Sequence, residues 1–307
     1  MRRLVAALLL IIVSAACATQ SSETANTSGT AIAPTQDARV EALHGSMTKV
    51  ERFFQPMGKP RPGDWLASFH EPGQTFGEYL NSNPTLPTRE RRKLYILSLG
   101  KFTTEQNRVI EITAGYLSAF YGLPVERLKD RPLNAVYPNI RYNNLMSVRQ
   151  VKTGYVLNDV LPPLLPTHGA AMIAFTDQDL YPDDSMNYVF GQAMLDKRVG
   201  VWSLYRLKER ADFDTFLHRT IKIATHETGH MFSMKHCTKY ECLMSGTNYL
   251  GETDRRPIDA CPECMAKICW LSNQQPVERY RRLAEYCRKN GLSEDAKEFD
   301  AKAVAVR

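Results

Sequence analysis

A run of three histidines, a glutamate and a cysteine constrains this chain more than any other part of its sequence. His226 and His230 are four residues apart, so on a helix they share one face, with Cβ atoms about 5–6 Å apart, and can bind one metal ion. Glu227 lies beside that face, within reach of a water molecule at the ion. His236 can join as a third ligand only if the helix ends near Ser233 and the chain folds back. The pattern therefore predicts a metal-binding helix followed by a sharp turn.

The chemistry of this ligand set favours catalysis. Three neutral imidazoles leave one position of a tetrahedral zinc ion open for water, which is typical of catalytic and not of structural zinc sites. Such an ion lowers the pKa of its water toward about 7. We expect Glu227 to take a proton from that water and to pass it to the leaving amine. The alternative is an ordinary amphipathic helix with His and Glu on its wet face, which His236 and the cysteines after it disfavour.

The cysteines that follow have the spacing of a second zinc site. One pair spans a short loop, and the other pair forms a CxxC motif. The ligands of this site would be Cys237, Cys242, Cys261 and Cys264. Disulfides are the alternative in an oxidising compartment, and we favour zinc. Cys269 and Cys287 fall outside the pattern and could be buried thiols or one disulfide.

The whole pattern resembles the archaemetzincins, a branch of the metzincin zinc metallopeptidases. It consists of HExxH, a third histidine with an adjacent cysteine, then CxxxxCxM and a distal CxxC. Shorter similar segments extend the resemblance over roughly residues 58–270, and they are 63–66, 72–76, 179–182, 187–191 and 254–257. Metzincins have glycine at the turn where this chain has Ser233. An L-residue in the left-handed region is strained by about 1–2 kcal/mol, so we expect an unusual turn at this position.

The resemblance implies a fold and further site residues. The expected fold is α/β (α+β) and metzincin-like, with a twisted sheet and backing helices above and a small zinc-stabilised helical subdomain below. Met244 would be the methionine of the turn beneath the metal, an apolar floor and not a ligand. An edge strand within 186–193 would pair with an extended substrate, although two aromatic residues on one face are also typical of a core strand. Asn248 or Tyr249 could steady a tetrahedral oxyanion.

Apolar periodicity predicts helices alternating with strands over the remaining chain. Helices are expected at 37–55, 104–121, 147–160, 212–232, 277–289 and 293–303. Strands are expected at 94–99 and 170–175, with a hairpin of 187–194 and 198–207. The Pro- and Gly-rich stretch 56–87 is typical of a loop that wraps the domain. We divide the chain into an N-terminal helix and wrapping segment, 37–90, and a catalytic domain with the Cys₄ site and C-terminal helices, 91–307.

The first 36 residues are typical of an exported bacterial lipoprotein. Residues 1–16 hold two arginines, an apolar run too short to span a bilayer, and small residues before Cys17, like a signal peptide that ends in a lipobox. Cleavage after Ala18, with Cys17 discarded, is the alternative. Residues 17–36 have the composition of a flexible tether. We expect a lipid on Cys17 to anchor the protein to a membrane of the cell envelope or periplasm.

These observations together predict an enzyme. Removal of residues 1–16 lowers the formal net charge from +6 to +4, because two arginines and no acids are lost, and this excess gives no reason to expect a nucleic-acid partner. We expect an envelope-tethered zinc metallopeptidase, a monomer with one catalytic and one structural zinc ion, that acts on peptide or protein substrates. The alternative is a non-catalytic two-zinc binding or scaffold protein of the same fold, which would be expected to have lost Glu227.

Overall fold

The described part of the chain, which is residues 36–307 of the computed structural model, contains helices along its whole length and strands only between Lys93 and Ser203. The helices are α1 Gln36–Val50, α2 Trp65–Ser68, α3 Phe76–Asn81, α4 Thr104–Tyr121, α5 Thr153–Tyr155, α6 Leu204–Leu207, α7 Phe213–Met231, α8 Leu250–Arg255, α9 Pro262–Leu271, α10 Pro276–Lys289 and α11 Ser293–Ala305. The strands are β1 Lys93–Leu99, β2 Val125–Arg127, β3 Ile140–Asn143, β4 Val148–Lys152, β5 Gly169–Thr176, β6 Asp179–Tyr181, β7 Gly191–Met194 and β8 Val199–Ser203. The predicted signal peptide, Cys17 and all of the predicted tether except Gln36 lie outside the described residues.

A five-stranded sheet forms the upper part of the fold. Its strand order is β2-β1-β5-β8-β7, and all neighbours are parallel except β7, which runs antiparallel to β8. Within residues 36–307, β7 pairs with β8 alone, so one side of its backbone is open. A smaller sheet of order β3-β4-β6 lies beside the first.

Both faces of the central strands are covered, which is why β1 and β5 read as continuous apolar runs. Ala171, Ile173 and Phe175 of β5 belong to the core shared with α4 and α7. Met172 and Ala174 belong to a second core, which also contains residues from the segment after β4. The strand predictions at 94–99 and 170–175 are confirmed.

Helices α4 and α7 begin at side-chain caps. Thr103 and Gln106 form a capping box at the start of α4, which ends at Gly122 with φ of 64°. The Asp212 side chain accepts a hydrogen bond from the Thr215 N–H and caps α7. The two helices pack against each other. These caps place the histidine-bearing end of α7 at a defined position beside the sheet.

The lower part is helical, as expected, and contains a buried ion cluster. Asp259 accepts hydrogen bonds from Arg279 and Lys302, each at 3.0 Å, and all three side chains are at most 3% exposed. Burial opposes ionisation of Asp259, but the two cations keep its pKa below the usual value. This cluster joins α10 and α11 to the segment just before α9.

The prediction of one helix over 147–160 is wrong in its first half. Val148–Lys152 is strand β4, paired with β3 and β6, and helical structure begins only at Thr153. The β-branched residues Val148 and Val151 favour a strand, and two partner strands supply hydrogen bonds that local spacing does not reveal. The hairpin prediction is confirmed at β7 and β8, although its second arm turns into α6 after Ser203.

The fold class is α/β, as predicted. Residues 36–307 form one compact unit, which includes the segment 37–90. The stretch 56–87, expected to be mostly loop, contains α2 and α3 and contacts the residues that follow α7. None of the described helices is both long enough and apolar enough to cross a membrane.

Candidate active site

The three predicted histidine ligands meet at the C-terminal end of α7. His226 Nδ1 lies 2.8 Å from the Leu243 carbonyl oxygen, and His230 Nδ1 lies 2.6 Å from that of Met234. A carbonyl oxygen only accepts, so each Nδ1 carries a hydrogen, and in the neutral ring each Nε2 then presents a lone pair. These two Nε2 atoms are 2.9 Å apart, and the coordinating nitrogens of all three histidines lie within 4.8 Å of one another. Lone pairs that converge in this way fit a shared cation.

The third histidine is oriented by a carboxylate whose role was not evident from the sequence. His236 Nδ1 donates to Glu71, whose two carboxylate oxygens are 2.8 and 3.1 Å away. The Trp65 ring packs edge-on against the His236 ring at 5.2 Å between centroids. A carboxylate behind a histidine is a common means of orienting a metal ligand. The one available sequence signal was that Glu71 directly precedes the family-like segment 72–76.

Burial sets the protonation of the site. It lowers the pKa of His226 well below the usual value, and the positive charge on His230 and His236 would lower it further. Burial also lowers the pKa of His236. Neutral imidazoles are the form that binds a metal. Burial raises the pKa of Glu227, which lines the same cavity as the histidines.

The turn that brings His236 back to the site contains Ser233, the residue that stands where metzincins have glycine. Ser233 has φ of 64°, in the left-handed region. The Met234 N–H donates to the Gly229 carbonyl and the Ser233 N–H to the His230 carbonyl, which together make a Schellman motif. The Ser233 Oγ accepts a hydrogen bond from the Thr85 N–H at 3.0 Å. The serine therefore adopts the strained conformation and ties the turn to the wrapping segment.

Met244 lies directly against α7. A Cβ atom built on Gly229 would be 2.6 Å from the Met244 Sδ, so only glycine allows this close approach. Met244 is fully buried, and its carbonyl accepts a hydrogen bond from the Cys237 N–H at 2.8 Å. The structure thus places Met244 beneath the histidine helix, where the resemblance implies it.

The predicted cysteine ligands form a second cluster. The sulfur atoms of Cys237, Cys242, Cys261 and Cys264 lie within 4.8 Å of one another, and all four residues are buried. Hydrogen bonds from its neighbours lower the pKa of Cys237, whereas burial raises the pKa of Cys242 and Cys261. A cation is what would let all four ionise together, so the donor set fits zinc.

The described cysteines form no disulfide. The sulfur atoms of Cys237 and Cys261 are 3.5 Å apart, far longer than a disulfide bond of about 2.05 Å. Cys269 and Cys287 are buried thiols. Burial raises the pKa of Cys269 to about 12.

A cavity of about 620 Å³ opens over the histidines. Its lining includes most of the segment from Met186 to Leu195, which contains strand β7, and the two cations Lys222 and Arg256. Neither cation was identifiable as a site residue from the sequence alone. Asn248 lines the cavity, but its side-chain amide donates to the Gly63 carbonyl. The hydroxyl of the neighbouring Tyr249 donates to Asp64.

The chain leading into β7 is held by polar contacts. The Asn187 carbonyl accepts hydrogen bonds from the side chains of Arg141 and Gln150 at 3.1 and 2.7 Å. The Arg206 guanidinium lies 3.8 Å from the centre of the Tyr188 ring. These contacts fix the wall of the cavity and hold the edge strand beside the histidines.

Comparison with known proteins agrees with this geometry. The profile described as Peptidase family M54 matches residues 143–269. Archaemetzincin-2 of Pongo abelii is 33% identical over 269 residues, covering 76% of this chain and 74% of that protein. The chain belongs to the archaemetzincin family. Archaemetzincin of Archaeoglobus fulgidus is 38% identical over 122 residues, covering 40% of this chain and 71% of that protein.

Among solved structures, archaemetzincin of Methanopyrus kandleri matches with a TM-score of 0.49 and 25% identity. It covers 59% of this chain and 96% of the other. Membership of this family makes the protein a zinc metallopeptidase, as the sequence predicted.

Proposed function

We propose that this archaemetzincin hydrolyses peptide bonds at the cavity above α7, with Glu227 as general base. The observation that carries this proposal is that three converging imidazoles and one partly buried carboxylate line a single cavity beside an open strand edge. The ligands of the zinc ion would be His226, His230 and His236. Zinc bound there supplies Lewis-acid chemistry, since it polarises oxygen ligands and lowers the pKa of a water molecule.

Residues of the chain would bind the substrate and transfer the proton. An extended peptide would pair through its main chain with the open edge of β7, whatever its side chains, and so lie beside the histidines. Glu227 would take the proton of the attacking water and deliver it to the leaving amine. The raised pKa of Glu227 suits this task, because a carboxylate with a higher proton affinity is a stronger base.

The decisive experiment is the substitution Glu227→Gln. It keeps the shape of the side chain and the histidine ligands, so we expect normal zinc content and a normal melt. Peptide hydrolysis should fall by about 10²–10⁴-fold or more. Unchanged hydrolysis would remove Glu227 from the mechanism. A wild-type protein that binds zinc but cleaves no peptide would favour the non-catalytic scaffold.

We also propose two zinc ions per chain, one at the histidines and one at the cysteine cluster. The support is the donor chemistry, since one cluster has three nitrogen ligands and the other has four sulfur ligands. Elemental analysis of the purified protein tests this count.

We propose further that the enzyme works in the bacterial cell envelope, held to a membrane by lipid on Cys17. The support is the sequence of residues 1–36 alone. Cys17→Ala should release the protein from the membrane fraction or leave the precursor unprocessed. A wild-type protein that is recovered free of membranes and begins at Thr19 would contradict the lipid anchor. The active unit would be a monomer acting on peptides or proteins.

A further inference from the structure

One cation in the substrate cavity lacks a carboxylate partner within residues 36–307. Lys222 lies one helical turn before His226 on α7 and lines the same cavity as Glu227. It is only 8% exposed. Its Nζ donates to the carbonyl oxygens of Thr253 and Asp254 at 3.2 and 3.1 Å. Carbonyls accept its hydrogen bonds but do not neutralise its charge.

The carboxylates of Asp254 and Asp295, whose charges favour the protonated lysine, are both bound to other side chains, Asp295 to the His218 ring at 2.9 Å. The Asp254 carboxylate binds the guanidinium of Arg219 in a bidentate manner, at 2.8 and 2.7 Å. Arg256, the other cation that lines the cavity, forms a salt bridge with Glu252 at 3.2 Å. Lys222 is therefore the lining cation whose charge remains available to a bound molecule.

A purely structural explanation accounts for only part of this arrangement. The ammonium group does tie α7 to the last turn of α8, and a neutral donor of similar length would do the same. Burial of a cation without a counterion is unfavourable, and here burial lowers the pKa of Lys222 to about 8. A carboxylate on a bound ligand would raise the pKa of Lys222 again. The resulting ion pair would be stronger than one at the surface, because it is shielded from water.

We propose that Lys222 selects substrates that carry a carboxylate close to the scissile bond. This carboxylate is either the side chain of Asp or Glu or the free C-terminus of the peptide. Residues one turn apart on a helix have Cβ atoms about 5–6 Å apart, and an extended peptide advances about 3.3 Å per residue. The lysine therefore reaches one or two residues from the bond that is cut. The inference rests on the proposed peptidase activity.

The first test is cleavage profiling with synthetic peptide mixtures. One mixture has free C-termini, and a second has the same sequences with amidated C-termini. Wild type is compared with Lys222→Gln, which keeps a hydrogen-bond donor but loses the charge, and with Lys222→Arg, which keeps the charge. Lys235→Gln, at an exposed lysine outside the cavity lining, is the matched control. Lys222→Met serves as a second neutral variant if the glutamine protein does not fold.

We expect one of two cleavage patterns from wild type, Lys222→Arg and Lys235→Gln. Either they cut preferentially at peptides with an acidic residue at one fixed position, or they cut preferentially near C-termini that are free and not amidated. The first result identifies a side-chain carboxylate and the second a terminal one. The preference should disappear in Lys222→Gln. Matched peptide pairs then give the size of the effect, with either Glu against Gln or a free acid against an amide. The kcat/KM of the carboxylate peptide divided by that of its neutral partner should be about 10–100-fold lower in Lys222→Gln than in wild type.

The failures of the two proposals are distinguishable. If wild type cleaves peptides and Lys222→Gln gives the same preference, or slows both members of each pair equally, the lysine is structural and this inference is wrong. If wild type cleaves nothing while zinc is bound, the proposed function fails and the inference fails with it.

Discussion

The carboxylate of Glu71 should control how tightly the histidine site holds zinc. Both its oxygens lie within 3.1 Å of His236 Nδ1, and its side chain is 30% exposed, so the contact is charge-assisted but partly solvated. Loss of a partner of this kind lowers metal affinity by about 10–100-fold, which corresponds to about 1.4–2.7 kcal/mol. We expect Glu71→Ala to show this full loss. Glu71→Gln keeps an acceptor without the charge and should lie between wild type and alanine.

The assay is competition for zinc against a chromophoric chelator, followed by kcat and KM at saturating zinc. The matched control is Glu90→Gln, because Glu90 is an exposed carboxylate of the same wrapping segment and contacts Thr88 rather than the histidines. A weaker zinc affinity with activity restored by added zinc would support the positioning role. Glu71→Ala with wild-type affinity would refute the reasoning, since His236 would then keep its orientation without the carboxylate.

Two further predictions concern the turn and the cysteine cluster. Ser233→Ala keeps the left-handed strain and loses the hydrogen bond from Thr85, which should destabilise the zinc-saturated protein by about 0.5–1.5 kcal/mol, whereas Ser233→Gly loses the bond but relieves about 1–2 kcal/mol of strain. Denaturant melts should therefore give a higher free energy of unfolding for Ser233→Gly than for Ser233→Ala, and equal values would contradict the strain argument. Elemental analysis should find that His230→Ala loses one zinc and activity yet remains folded, while Cys261→Ser loses the other zinc and also melts at lower temperature. A single zinc in wild type, together with two disulfides by mass spectrometry, would exclude the Cys₄ site.

The sequence predicted those parts of the site that depend on short spacings. The i, i+4 relation of His226 and His230 required only a helix, and α7 is that helix. The prediction that the chain turns back near Ser233 is confirmed by its φ of 64°. The family fold followed from the full motif, which is far more specific than HExxH alone.

Contacts between distant segments were not predicted. Glu71 lies 165 residues before His236, and no local pattern connects the two. In the sequence, Lys222 looks like an ordinary polar residue of an amphipathic helix. Only the position of α8 shows that it is buried in the cavity. The same reason explains the error at β4, because strands gain their stability from partners that the local sequence does not identify.

The adjacency of His236 and Cys237 makes the two clusters interdependent. Local helix formation brings His226 and His230 together, but it does nothing for His236, whose position depends on the turn, on Glu71 and on the cysteine beside it. The Cys237 N–H also bonds the Met244 carbonyl, so the floor beneath α7 and the sulfur cluster share one piece of backbone. A cation at the cysteines would hold this backbone in place and thereby hold the third histidine. The complete ligand set at the histidines therefore requires the folded lower part of the protein as well as the helix.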